Sequence, residues 1–288
     1  MVQPHKIIFI GSSRSGLLSL LESPHFTALE VWCLSNRLTL PLESLADEKK
    51  IPLTTFAGLK DFRALVETHE ASMPFFIYQL DMLVPADLTQ SYSFYNVHRG
   101  NLYTNRGPNP DIWPILNGDL ETALSLHKIN DKVDSGVLID AVDVPISSND
   151  DSVSIRTKLE MHLPRLVESL HRYLEGSREG SELSSGVYRP WVTEVDFTID
   201  LAVDGLDVID RKIRSQRQYN GAIVFHEGIK YYVLDILEAA ERKKAVNFHF
   251  ILVDEFIYTF CSSHALVLKC NKIPKHPSPP VRPPSKRI

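Results

Sequence analysis

The chain has 288 residues, of which 43% are hydrophobic and 23% charged, with a formal net charge of −5 at pH 7. This is the balance of a globular protein of one large or two modest domains, with no bulk charge to attract nucleic acid. Cys33, Cys261 and Cys270 are too few for a disulfide framework, and no apolar run reaches the ~18–20 residues of a membrane span, so a cytoplasmic protein with reduced thiols is expected.

Lys6 to Ile10 is a short β-branched and aromatic run that predicts a buried strand, and it is too short for a signal peptide. Gly11-Ser12-Ser13-Arg14-Ser15-Gly16 follows it. This stretch is neither G-x-G-x-x-G nor a P-loop, so it reads as a turn into a helix whose start suits a substrate phosphate. Leu17 to Leu21 gives a helical face, Leu29 to Leu34 a strand, Pro41 to Lys50 a helix, Ile51 to Leu53 a strand start and Leu59 to His69 a helix. Pro74 to Tyr78 and Phe94 to Val97 are further buried strands. Strands alternating with helices predict an α/β fold with a mostly parallel sheet, whose ligands sit at the carboxyl ends of the strands. Val137 to Val144 is a strand, Asp151 to Tyr173 reads as one long amphipathic helix capped by Ser152 or Ser154, and the Gly/Ser-rich stretch Gly176 to Pro190 reads as a linker. Beyond Trp191, a helix over Ile209 to Arg217 precedes short β-like runs at Ala222–His226, Lys230–Glu238, Asn247–Val253, Phe256–Ser262 and Leu266–Cys270, which suggest a small barrel or open sheet. The expected division is 1–176 as a catalytic domain, 177–190 as linker, 191–272 as a β-rich domain and 273–288 as a disordered Pro- and basic-rich tail.

The most informative stretch is Phe94 to Asp140. Asn96 and His98 are two apart at the end of an apolar run, so on a strand they share a face. Asp134 is followed by Ser135-Gly136, a turn pair able to bend it back. An amide, an imidazole and a carboxylate can therefore converge. Asn96, His98, Arg106, Gly107, Pro110, Trp113, Asn117, Gly118, Thr122, His127, Asp134, Gly136 and Leu138 fall in register with the pattern of the folate-dependent formyltransferases, and the stretch resembles that family.

The resemblance implies a Rossmann-like catalytic domain followed by a smaller, OB-like β-rich domain. Phe197–Asp200, Val208–Arg214 and Tyr219–Val233 loosely resemble the C-terminal domain of methionyl-tRNA formyltransferases and of some sugar formyltransferases. It implies 10-formyltetrahydrofolate as co-substrate, with Asn96, His98 and Asp134 as the catalytic set. Asn96 and His98 would serve the oxyanion, and His98 with Asp134 would manage protons. It places Met82, Leu83 and Val84, with Asp131 and Val133, around the pterin. Ser12, Arg99, Tyr103 and Arg106 fall on the acceptor side, with Arg106 equally readable as a loop anchor. No metal or covalent nucleophile is needed. His127 reads as structural beneath the site, Trp113 as core, and His162 and His171 as surface or packing residues.

Two departures bear on the acceptor. The family's H-P-S-L-L-P is His98-Arg99-Gly100-Asn101-Leu102-Tyr103 here, changing side chains beside the catalytic imidazole. The long basic loop of the tRNA enzymes is replaced by Leu34-Ser35-Asn36-Arg37-Leu38 and an acidic helix, a poor phosphate grip. The first expectation is therefore N-formylation of a small amine, a nucleotide-linked amino sugar, with tRNA disfavoured and no membrane partner. The alternatives are methionyl-tRNA formylation, formyltetrahydrofolate hydrolysis and a non-catalytic folate-binding protein. For the β-rich domain, a homodimer interface, closure of the acceptor cleft and drift stay open.

Overall fold

The computed structural model describes residues 3–241, 250–261 and 264–271. The chain divides into two compact units: residues to 107, 123–144 and 157–188 form the first, and 108–122, 145–156 and those from 189 onward the second.

In chain order the first unit begins with β1 (His5–Gly11), α1 (Arg14–Leu21), β2 (Phe26–Leu34), α2 (Leu40–Glu48), β3 (Leu53–Phe56), α3 (Leu59–Val66), β4 (Pro74–Tyr78), α4 (Ala86–Ser91) and β5 (Ser93–His98). After a short helix α5 (Trp113–Asn117) come β6 (Glu121–Lys128), β7 (Val137–Pro145), α6 (Ser152–Glu160), α7 (Leu163–Leu174) and β8 (Ser181–Glu182). The strands form one sheet in the order β3-β2-β1-β4-β5-β6-β7-β8. As the alternation predicts, β1 to β5 are mutually parallel, while β6 runs antiparallel to β5 and β8 antiparallel to β7. The parallel strands are apolar throughout because both faces are covered: Ile7, Ile8, Phe9, Ile10, Phe75 and Phe76 are each wholly buried. The order reverses between β1 and β4, which makes their carboxyl ends a switch point. There the backbones approach closely. Gly11 has φ +151°, and a Cβ on it would lie 1.8 Å from the Tyr78 carbonyl oxygen, so only glycine fits.

Three readings from the sequence are corrected. The expected helix over 151–173 is two helices, because Pro164 stands in the first turn of α7 and cannot continue α6. Its start is held by Asp151, whose Oδ1 accepts the N–H groups of Val153 and Ser154, while the Ser154 hydroxyl donates to Asp150. The stretch read as a linker is ordered: β8 pairs with β7, Leu183 N–H donates to the Gly136 carbonyl, and Val187 exchanges backbone bonds with Tyr103 and Arg106. Its Gly and Ser content suits an edge strand and close turns as well as a tether.

The second unit contains α5, α8 (Glu194–Phe197), α9 (Leu206–Gln216) and strands β9 (Ala222–His226), β10 (Ile229–Glu241), β11 (Ile251–Val253), β12 (Phe256–Phe260) and β13 (His264–Asn271). These pair antiparallel in the order β11-β12-β13-β10-β9. Alternate residues of β13, Leu266, Leu268 and Cys270, face a core completed by Ile209 and Ile213 of α9. Trp113, expected in the core, packs partly buried against the cluster of Ile112, Val192, Phe197 and Ile223; its indole N–H donates to the Pro190 carbonyl at 2.8 Å and Arg189 lies over its ring. Residues 247–249 of one predicted strand, and the tail 273–288, lie outside the described residues.

Candidate active site

β5 runs between β4 and β6, and its carboxyl end carries Asn96 and His98. Their side chains share a face by the two-residue period of a strand, with Phe94 below them in the core. In the antiparallel register Asn96 faces His127 and His98 faces Ser125. Directly opposed side chains lie about 5 Å apart at Cβ, which brings polar ends into contact. Asn96 Nδ2 is 3.1 Å from His127 Nε2, and His127 Nδ1 is 2.9 Å from the Ser135 carbonyl oxygen.

That carbonyl can only accept, so the His127 proton is on Nδ1 and Nε2 holds a lone pair. Asn96 must then donate through Nδ2, which fixes its amide orientation and leaves its second N–H for another acceptor. His127 is wholly buried, and burial pushes its imidazole down to about 4, against weaker upward pulls from Asp134 and the Ser135 carbonyl. The ring stays neutral and remains an acceptor for Asn96 across the physiological range.

His98 is held from both ends. Its Nε2 donates to the Asn105 carbonyl at 2.8 Å, and its Nδ1 lies 3.6 Å from Asp134 Oδ1. The second distance is an electrostatic contact, too long for a direct hydrogen bond. The side chains are 8% and 16% exposed, so the pair sits where water screens weakly. As folded, the Nε2 proton is committed to a main-chain carbonyl.

The loops explain how Asp134 and Asn105 arrive. Asn101 accepts at its side chain from Tyr103 N–H and at its carbonyl from Thr104 and Asn105, curling 101–105 back over the imidazole. Gly100 lies against His98: a Cβ there would be 2.7 Å from Nε2 and 2.8 Å from the Asn105 oxygen. Asp134 Oδ2 accepts Gly107 N–H at 2.7 Å, tying the two loops together. Gly136, at φ +103°, has no room for a Cβ, which would meet the Lys128 carbonyl at 2.2 Å. This tight return sets Asp134 beside His98.

The remaining expected residues are less concentrated. Met82 and Val84 pack half-buried against the core of the first unit, while Leu83 between them is 68% exposed. Val133 is 38% exposed and Asp131 lies exposed in the β6–β7 loop. Ser12 donates to the Gln79 carbonyl at 3.2 Å, and the start of α1 is capped by Ser13, which accepts from Gly16 N–H. Tyr103 is exposed and Arg99 half-buried. Arg106, read equally as a substrate contact and as a loop anchor, gives Nε to the Leu102 carbonyl and Nη2 to the Ser185 carbonyl, each at 2.6 Å, which are the contacts of a loop anchor.

Sequence reading missed a second polar cluster at the switch point. Glu160 accepts from Ser15 at 2.9 Å and from Tyr78 and Gln79 at 3.2 Å each. Arg99 lies near enough to Tyr78 to oppose the rise that burial imposes on its phenol. Glu160 is at the end of α6 with no local motif, so nothing in its sequence neighbourhood announces these contacts.

No family model matches the chain. It is 29% identical over 150 residues to a methionyl-tRNA formyltransferase of Limosilactobacillus fermentum, a match covering 51% of this chain and about half (47%) of that protein. It is 26% identical over 251 residues to a methionyl-tRNA formyltransferase of Streptococcus pyogenes, covering 81% of this chain and 80% of the relative. Among solved structures, an N-formyltransferase from Helicobacter canadensis, described in complex with folinic acid and dTDP-3-aminofucose, superposes with a TM-score of 0.69. That likeness has 18% identity and covers 94% of this chain and 100% of the other.

Proposed function

We infer that this chain, a folate-dependent formyltransferase, moves a formyl group from 10-formyltetrahydrofolate to the amine of a small acceptor, a nucleotide-linked amino sugar. The observation that carries this reading is the convergence of Asn96, His98 and Asp134 at the carboxyl end of β5, with Asn96 oriented by His127. The folate supplies the activated formyl group. Leu83 and Val133 each expose apolar surface of the kind a flat heteroaromatic ring would cover.

The uncommitted N–H of Asn96 donates to the charge that develops on the formyl oxygen. His98 adds its Nε2–H when the Asn105 carbonyl gives it up, and one such donor is worth about 3 kcal/mol. Asp134 steadies positive charge on His98, and the pair takes the proton that the attacking amine loses and returns it to the folate nitrogen as that nitrogen's bond to the formyl carbon breaks. Apo sites often hold such protons on internal acceptors and release them when substrate arrives.

A small acceptor is favoured by the loop after β2. It is a single turn, Ser35–Arg37, and its one cation, Arg37, is paired with Asp81. The sequence relatives favour tRNA instead, so the test must separate the two. Tetrahydrofolate release is followed with no acceptor, with nucleotide-linked amino sugars, and with Met-tRNA. Release with the sugars alone supports this reading. Release only with Met-tRNA, falling steeply with salt, overturns the acceptor, and release without any amine makes the protein a hydrolase. Arg99→Ala and Tyr103→Ala are expected to raise the acceptor KM. An unchanged acceptor KM in both removes these side chains from the acceptor site.

A further inference from the structure

At the amino-terminal end of β1, opposite to the strand ends that carry Asn96 and His98, four ionisable side chains gather. They are His5 on β1, His25 before β2, and His171 and Glu175 at the end of α7. His171 and Glu175 are four apart on one helix face, so they point the same way. His171 Nε2 lies 3.3 Å from Glu175 Oε2. The His5 ring stands 5.3 Å from that of His171, and one ligand atom from each of His5, His171 and Glu175 lies within 4.8 Å of the others.

We propose that His5, His171 and Glu175 form a binding site for a divalent first-row transition metal of the zinc class, with a structural role. Two nitrogens and a carboxylate oxygen make a donor set that such ions accept, with water in a fourth position. Around an ion with bonds of about 2.0–2.1 Å, tetrahedral neighbours are about 3.4 Å apart. The His171–Glu175 separation already has that length, so closure requires only that His5 draw in.

One polar atom is also left wanting. His5 Nε2 is buried with no hydrogen-bond partner, in a protein interior where such atoms are nearly always satisfied. His25 stacks on His171 at 3.8 Å and 7°, and its Nε2 lies 3.4 Å from Glu168. A ring parallel to its neighbour cannot share the ion in this rotamer, so His25 covers the face of His171 and buttresses it. The ion would clip the first residue of β1 to the last turn of α7.

The test uses the full-length chain, freed of metal by chelation, titrated with Zn²⁺ by calorimetry and with Co²⁺ by visible absorption. The expected result is one ion per chain, a Co²⁺ spectrum of tetrahedral intensity and a rise in Tm on adding metal. His5→Asn and Glu175→Gln, both on side chains that are not fully buried, are expected to weaken binding by at least ~10-fold and abolish the Tm response. His226→Asn in the second unit is expected to leave both unchanged. His171→Ala should lose binding too, but it removes a buried ring, so the first two variants decide. Absence of binding to the wild-type chain, or binding that survives His5→Asn and Glu175→Gln, overturns the proposal. Neither outcome touches the formyl-transfer reading, which rests on the opposite end of the sheet.

Discussion

Replacing His127 by Asn tests whether the orientation of Asn96 matters. An Asn side chain can keep a donor on the Ser135 carbonyl, because its amide stands where Nδ1 does, but it cannot reach Asn96 with an acceptor. The 3.1 Å contact to Asn96 Nδ2 is then lost and the amide is free to rotate. One misdirected oxyanion donor costs at most the ~10²–10³-fold of complete removal, so a fall in kcat of about 10–100-fold is expected. The folate KM should move less than about twofold, because the interaction is made as charge develops rather than on binding. Folding should cost about 2–3 kcal/mol from the small cavity and the buried bond, read as a lower Tm. The decisive assay is the double-mutant cycle with Asn96→Ala, using single-turnover formyl transfer to the accepted amine. If His127 acts through Asn96, adding His127→Asn to Asn96→Ala changes kcat little. A full further loss in that background, or an unchanged kcat in the single variant, refutes the reasoning.

The same histidine predicts a pH dependence of stability. Its folded pKa, about 4, lies below the ordinary 6.5, so between those values the unfolded chain binds a proton that the folded chain refuses. Stability is therefore full above pH 6.5 and falls as pH drops towards 4, by on the order of 3 kcal/mol. Denaturant melts of wild type and His127→Asn should diverge above this window and converge below it. Gly100→Ala places a methyl 2.7 Å from His98 Nε2 and should cost about 1–3 kcal/mol, with kcat falling because the imidazole is displaced; wild-type activity would mean the loop yields freely. Arg106→Lys loses the two-pronged grip on the Leu102 and Ser185 carbonyls, so Tm should fall by an amount equivalent to about 1.5–3 kcal/mol while acceptor KM holds. A changed KM at unchanged Tm would return Arg106 to the substrate.

Local pattern carried much of the architecture. Buried strands announced themselves as runs such as Ile7 to Ile10 and Phe75 to Ile77 because a parallel sheet covered on both faces demands apolar residues at every position. β13 was legible only as a short β-like run; its alternating burial follows from one face of that strand being open. The break at Pro164 was written in the sequence as well, since proline cannot sit inside a helix, but the amphipathic period on either side masked it. The two-residue spacing of Asn96 and His98 placed them on one face before any contact was known.

What no local pattern holds is the partner of each group. That His127 faces Asn96 is a matter of register between β5 and β6, and that Asn105 rather than solvent holds His98 depends on how 101–105 curls. Glu160 meets Ser15 and Tyr78 across 145 and 82 residues of chain, and the ordering of 177–190 depends on an edge that β7 offers. The sequence by itself determined which residue types were available and on which face of a strand or helix they lie, because those follow from backbone periods of two and 3.6. The tertiary structure alone decided which donor meets which acceptor, because hydrogen bonds and ion pairs act over a few ångströms between residues far apart in the chain. Those distances also fixed the protons of His127 and Asn96.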